Sequence, residues 1–207
     1  MEERRQEEHE LMEQEALEWN EALREGTGWE QEKREDSSFG GKNGQGKLYL
    51  CSTPIGNLDD ITLRVLDTLK RVDLIAAEDT RHSIKLLNHF HIKTPMTSYH
   101  EYNKVEKARY LVEQLKKGVN IALVTDAGTP AISDPGEDLV RLCAENGVEV
   151  LSIPGCCAAV NALAVSGLPT GRFTFEGFLT VNKKSRRERL DSLKNEERTM
   201  IFHEAPH

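Results

Sequence analysis

Apolar and polar positions change their period several times along the chain, and each change predicts an element. Short apolar runs at Leu48–Ser52, Leu74–Ala77, Met96–Ser98, Ile121–Thr125 and Val148–Ile153 read as strands. Between them, Ile61, Val65, Leu66 and Leu69 recur at helical spacing behind Asp59-Asp60, which are expected to cap that helix. Ala108, Leu111, Val112 and Leu115 mark a second helix, closed by Gly118. Leu139, Val140, Leu142 and Cys143 mark a third, closed by Gly147, and both glycines suit a left-handed C-terminal cap. Strands alternating with helices through right-handed crossovers predict an α/β fold, a mostly parallel sheet sandwiched by helices. The pattern restarts near Gly171, with a strand at Phe173–Phe178, a basic helix at Ser185–Lys194 and a strand at Thr199–His203. The expected organisation is an extension and linker over 1–46, a first domain over 47–170, and the start of a second α/β domain over 171–207.

Composition changes this picture mainly at the amino terminus. Residues 1–36 hold fourteen acidic and five basic side chains, a net of −9, whereas the whole chain carries −8. The rest is therefore near +1, and overall acidity says little about the partner of the globular part. Leu11, Ala16, Leu17 and Trp19 form only a thin apolar stripe, so a solvated helix or disordered tail on a Gly-rich linker is expected. Cys51, Cys143, Cys156 and Cys157 show neither C-x-x-C nor zinc-finger spacing, so no metal site is expected. Adjacent Cys156 and Cys157 read as reduced thiols in a small-residue turn, with a vicinal disulfide as the alternative. A charged amino terminus is unlike a signal peptide, and no apolar run approaches the ~18 residues of a membrane span. A soluble cytoplasmic protein is expected.

Candidate chemistry concentrates where strands end. Leu48–Ser52 runs into Thr53-Pro54-Ile55-Gly56-Asn57, Ile121–Thr125 into Asp126-Ala127-Gly128-Thr129-Pro130, and Val148–Ile153 into Pro154-Gly155-Cys156-Cys157. Gly and Pro serve tight turns everywhere. Three long polar junctions at the carboxyl ends of parallel strands, however, point to one shared ligand crevice. Asp126 supplies an acceptor there, and Gly128 and Gly155 permit a close backbone approach. Glu78-Asp79-Thr80-Arg81-His82 packs four ionisable groups behind the second strand, either a phosphate clamp through Arg81 or a helix cap with a solvated salt bridge.

These segments carry a family resemblance. Ser52–Leu58, Ala76–His82, Ser98-Tyr99-His100-Glu101, Thr125–Gly136, Ile153-Pro154-Gly155 and Glu176-Gly177-Phe178 together resemble the tetrapyrrole methylase superfamily. Within it they are most similar to the branch of bacterial 16S ribosomal RNA cytidine 2′-O-methyltransferases, from about Leu48 to His207. The resemblance implies S-adenosyl-L-methionine as cofactor, held by Pro54, Gly56, Asp126, Gly128, Thr129, Pro154, Gly155 and Cys156. It also implies 16S ribosomal RNA as substrate, a homodimer, and a second domain that continues past His207. The glycine-rich G-x-G-x-x-G fingerprint is absent, which speaks against an ordinary Rossmann methyltransferase. Where the family reads Pro-Gly-Pro-Ser-Ala this chain has Pro154-Gly155-Cys156-Cys157-Ala158, losing a hydroxyl.

Methylating a ribose hydroxyl needs in-line placement and a late proton acceptor. His100 is the first candidate, by the ordinary pKa of imidazole, with Glu101 or Asp79 next. Positioning alone supplies up to ~7–11 kcal/mol, so a dedicated base is not obligatory. Arg81 and the run Lys183–Arg189, with Lys184, Arg186 and Arg187, are the expected phosphate contacts. A solvated basic helix is the plain alternative for that run. Two other readings compete: a C-methylase of tetrapyrrole precursors, and a non-catalytic methylase fragment.

Overall fold

The computed structural model describes Phe39, Gly41 and residues 44–204. The extension expected as a solvated helix or disordered tail lies outside the described residues, as does half of the linker over 37–46. Five parallel strands form the main sheet: β1 (Leu48–Cys51), β2 (Leu74–Ala77), β3 (Met96–Ser98), β4 (Ile121–Val124) and β5 (Val150–Ile153), in the order β3-β2-β4-β1-β5. Every residue of β2 and β4 is buried, as expected where helices cover both faces.

Alternate side chains along each strand feed two separate cores. Leu48, Leu74, Ile121 and Leu123 pack with Leu111 and Leu115 of α3 (Lys104–Lys116) and Leu139 and Cys143 of α4 (Glu137–Glu145). Tyr49, Ile75, Ala122 and Val124 pack on the other side with Val65 and Leu69 of α1 (Leu63–Arg71) and Leu87 of α2 (Thr80–His89). The expected α/β sandwich is thus present. Connections leaving β1 and β2 run to one face and those leaving β3 and β4 to the other, as right-handed crossovers demand when the direction of winding reverses. Adjacent strands β1 and β4 therefore send their helices to opposite faces, which opens a crevice at their carboxyl ends.

Local details differ from the sequence pattern in instructive ways. Asp59 and Asp60 do not cap α1; they lie in a 3-10 turn, Leu58–Asp60, that Asn57 caps. Thr62 caps α1 instead, its hydroxyl accepting from the Val65 N–H at 3.2 Å. Gly118 and Gly147 take φ of 97° and 68°, the conformation expected after α3 and α4. The periodicity missed α2, whose buried face is only Ser83, Leu86 and Leu87, and α5 (Ala158–Val165), where small apolar residues blur the stripe.

Beyond α5 a separate two-stranded parallel sheet pairs β6 (Phe173–Phe178) with β7 (Thr199–His203) through α6 (Lys183–Ser192). Helix α6 starts two residues earlier than the charge pattern suggests, because Asn182 caps it by accepting from the Lys184 and Ser185 N–H groups. No residue of α6 is buried. No helix among the described residues is long and apolar enough to cross a membrane.

Leu111 is fully buried between α3 and the sheet, remote from the strand ends. Leu111→Ala should destabilise the fold by about 2–5 kcal/mol through lost burial and a residual cavity. Urea unfolding should show this as a lowered midpoint at unchanged slope.

Candidate active site

The loops behind β1, β4 and β5 are knitted together by direct hydrogen bonds. Thr53 and Gly128 form an isolated antiparallel bridge, N–H to O at 2.9 Å one way and 3.1 Å the other. The Thr53 hydroxyl donates to the Thr125 carbonyl at 3.1 Å. Ser52 and Thr129 hydroxyls lie 3.1 Å apart, and Thr129 donates to the Cys156 carbonyl at 3.0 Å. Thr62 reaches the Pro154 carbonyl at 3.4 Å, so the start of α1 also touches the third loop. Hydroxyl side chains suit such seams because each donates while leaving lone pairs free.

The structure therefore brings Pro54, Gly128, Thr129, Pro154, Gly155 and Cys156 into one place. Gly56 sits on the exposed outer rim of the first loop, with open space around it. The two glycines singled out for ligand approach have different reasons to be glycine. Gly128 has φ +88° and keeps Ile55 and the Cys156 carbonyl at ordinary distances from a would-be Cβ. At Gly155 a Cβ would lie 2.8 Å from the Ser52 Cβ, so loop-to-loop packing demands this glycine. All four cysteines are free thiols, and burial pushes both Cys51 and Cys143 up to about 12.

Beside this seam lies a group of carboxyls that sequence reasoning did not assemble. Glu78, at the end of β2, accepts from the Thr125 hydroxyl at 2.6 Å and from the Asp126 N–H at 3.4 Å. Asp126 buries one carboxyl oxygen, Oδ1, without a hydrogen-bond partner. Burial raises its pKa, with the Glu78 charge adding to the effect. Asp134 is pushed up to about 6 by burial, then by the charges of Glu78 and Asp126, against a hydrogen bond from Thr125. Adjacent strands bring these groups together from residues 78 and 126–134, a separation no local motif reveals. Among the described residues no group of three His, Cys, Asp or Glu is placed to hold a metal ion.

Of the proposed bases, Asp79 lies beside this group of carboxyls, whereas His100 and Glu101 stand elsewhere. Asp79 caps α2 and takes a two-pronged ion pair from Arg81, Nε at 3.1 Å and Nη2 at 2.8 Å. That pairing holds the Asp79 carboxyl well below the usual carboxylate range, which makes it a poor proton acceptor. Glu101 is bound to Lys104 at 2.8 Å, and Lys104 also reaches Asp138 at 3.2 Å. His100 buries its Nδ1 without a partner and sets its ring edge-on to Tyr102. His100 and Glu101 follow edge strand β3, three strand spacings or about 14 Å from β1. Lys184, Arg186 and Arg187 lie on α6 of the second sheet. Arg186 donates to the Thr180 carbonyl at 3.0 Å and approaches Glu204, and Lys184 lies 3.9 Å from Glu188. Arg187 makes no ion pair among the described residues.

Two outcomes follow from this geometry. Because the folded pKa of Asp134 lies above its unfolded value, the folded chain binds more protons between about pH 4 and 6, and stability falls as pH rises through that window. Asp134→Asn should abolish this fall and raise the thermal midpoint above pH 7, as read by calorimetry across pH. At Cys157 the backbone is extended (φ −142°, ψ 106°) and caps α5 without a side-chain hydrogen bond. Cys157→Ser should supply that bond and stabilise the fold by roughly 0.5–2 kcal/mol in denaturant unfolding.

Comparison with known proteins places this architecture. A profile of the Tetrapyrrole (Corrin/Porphyrin) Methylases matches residues 47–207. The chain is 56% identical over 162 residues to ribosomal RNA small subunit methyltransferase I of Haemophilus influenzae, covering 78% of this chain and 57% of the relative. It is 51% identical over 174 residues to the Bacillus subtilis protein of the same name, covering 84% and 60%. The chain thus spans a little over half the length of these curated relatives. Among solved structures, a diphthine synthase superposes with a TM-score of 0.57 at 14% identity, covering 78% of this chain and 66% of that one. A conserved hypothetical protein of Aeropyrum pernix superposes with a TM-score of 0.55 at 22% identity, covering 66% and 48%. At these identities the likeness is one of fold. The match over residues 47–207 and the parallel sheet that carries the three joined loops agree: the chain belongs to the Tetrapyrrole (Corrin/Porphyrin) Methylases.

Proposed function

We propose that this chain is part of an S-adenosyl-L-methionine-dependent methyltransferase that methylates the 2′-oxygen of a cytidine ribose in 16S ribosomal RNA. The observation that carries the reading is the identity of more than half of 162 aligned residues with a relative named for small-subunit ribosomal RNA methylation. The residues at the crevice fit the cofactor's chemistry. A buried, unpartnered Asp126 oxygen is an acceptor in want of a donor, and the cofactor carries amino and hydroxyl donors. Pro54, Gly56, Gly128, Thr129, Pro154, Gly155 and Cys156 would form the rest of the cradle. The cofactor supplies a methyl group on a cationic sulfur; the chain's own residues have to orient the acceptor and take up its proton.

His100 is the proton acceptor this reading favours, since Asp79 is held by Arg81 and Glu101 by Lys104. Arg81, whose side chain is 90% exposed, and Lys184, Arg186 and Arg187 on α6 would contact RNA phosphates. Residues 47–170 would form the first methylase domain and 171–207 part of the second. A homodimer in the cytoplasm completes the proposal. Exposed Val160, Val165 and Leu168 on and after α5 support it, as apolar surface that the described residues leave uncovered.

Calorimetric binding of S-adenosyl-L-methionine should be weakened at least about tenfold, 1.4 kcal/mol, by Gly128→Leu in a variant with unchanged circular dichroism. Unchanged affinity in that folded variant would put the cofactor elsewhere. Incorporation of labelled methyl into small-subunit ribosomal RNA, and none into a porphyrinogen, is the expected substrate result.

A further inference from the structure

We propose that Glu78 is a positioning residue for this site, clamping the Thr125–Asp126 turn so that Asp126 presents its carboxylate to the cofactor. The inference rests on the methyltransferase reading and deepens it. Glu78 leaves β2 beside β4 and extends the ladder, its N–H donating to the Val124 carbonyl at 3.3 Å. Its carboxylate then crosses to the neighbouring loop, meeting the Thr125 hydroxyl at 2.6 Å and the Asp126 N–H at 3.4 Å. From the opposite side the Thr53 hydroxyl holds the Thr125 carbonyl at 3.1 Å. Thr125 is 2% exposed, so its turn is gripped by β2 on one side and by the β1 loop on the other. The next residue is Asp126, with a buried carboxyl oxygen that nothing in the described residues satisfies.

Packing alone does not require a carboxylate at position 78. A neutral amide oxygen can accept from the same hydroxyl and N–H, though less strongly than a carboxylate, without adding a negative charge beside Asp126 and Asp134. The charge has a consequence for binding. Glu78, Asp79 and Asp134 face Asp126 with negative charge, while His82 and Arg81 offer positive charge from α2. Burial first, and the Glu78 charge next, keep the Asp126 carboxyl above its ordinary range, so its readiness to accept from a ligand changes with pH. Glu78 thereby sets both where Asp126 points and at which pH it is ionised.

The test is the pH dependence of S-adenosyl-L-methionine affinity in wild type, Glu78→Gln and Glu78→Ala, measured calorimetrically with melting temperatures taken alongside. Glu78→Gln keeps an acceptor oxygen but removes the charge that raises Asp126, so the acidic limb of the affinity profile should move to lower pH. Glu78→Ala removes the clamp as well and should weaken affinity about tenfold above pH 8, where ionisation no longer limits binding. Should Glu78→Ala fail to fold, the near-isosteric Glu78→Gln decides. A wild-type acidic limb retained in Glu78→Gln would overturn the inference, even if melting falls, because that pattern belongs to a purely structural residue. Wild-type protein that does not bind the cofactor would instead overturn the methyltransferase reading, and this inference with it.

Discussion

Burial of the sheet on both faces is the constraint from which the rest of the structure follows. With β2 and β4 enclosed along their whole length, no polar chemistry can be placed on the faces of the sheet. It is confined to the strand ends, and the order β3-β2-β4-β1-β5 decides which ends meet. Because β1 and β4 dispatch their helices to opposite sides, a crevice opens between the loops at their carboxyl ends. The Thr53–Gly128 bridge and the hydroxyls of Ser52, Thr53 and Thr129 then join them to the β5 loop.

The neighbouring β4–α4 loop carries costs that packing alone would not select. Asp126 and Asp134 share a half-buried space with Glu78, and each has its pKa raised first by desolvation. Ala131 and Ser133 take φ of 67° and 64°, a left-handed conformation that penalises residues with a Cβ. At Gly136 (φ +144°) a Cβ would come within 2.9 Å of the Leu123 side chain, so the loop must return tightly against β4 before α4 begins. Strain, desolvated carboxyls and an unsatisfied acceptor in one segment are features that folds retain where a ligand compensates them.

The second sheet obeys different physics. Phe173, Phe175, Phe178, Val181, Leu190 and Met200 are all substantially exposed, and α6 buries nothing. Much of the positive charge of α6 is internally compensated: Arg189 pairs with Glu176, Arg186 approaches Glu204, and Lys184 approaches Glu188. A run that reads as five cations in sequence therefore offers fewer uncommitted charges in space, since β6 and β7 return acidic partners to its flank.

The sequence by itself determined the elements whose signals are local. Wholly apolar runs marked β2 and β4 because burial on both faces removes alternation, short β-rich runs marked β1, β3 and β5, and glycines closed α3 and α4 because a left-handed residue is needed there. Pro and Gly clusters behind β1, β4 and β5 likewise announced the loops that meet. Helices α2 and α5 were not legible, because a three-residue buried face and an almost uniformly small apolar segment give weak periodicity. Only tertiary structure decided that Thr62, and not Asp59 or Asp60, caps α1, since the intervening turn consumes the acids. It alone also revealed that Gly155 answers to Ser52 and that Glu78 reaches Thr125. Those relations depend on strand order, and strand order is a property of the packed sheet that no stretch of residues encodes locally.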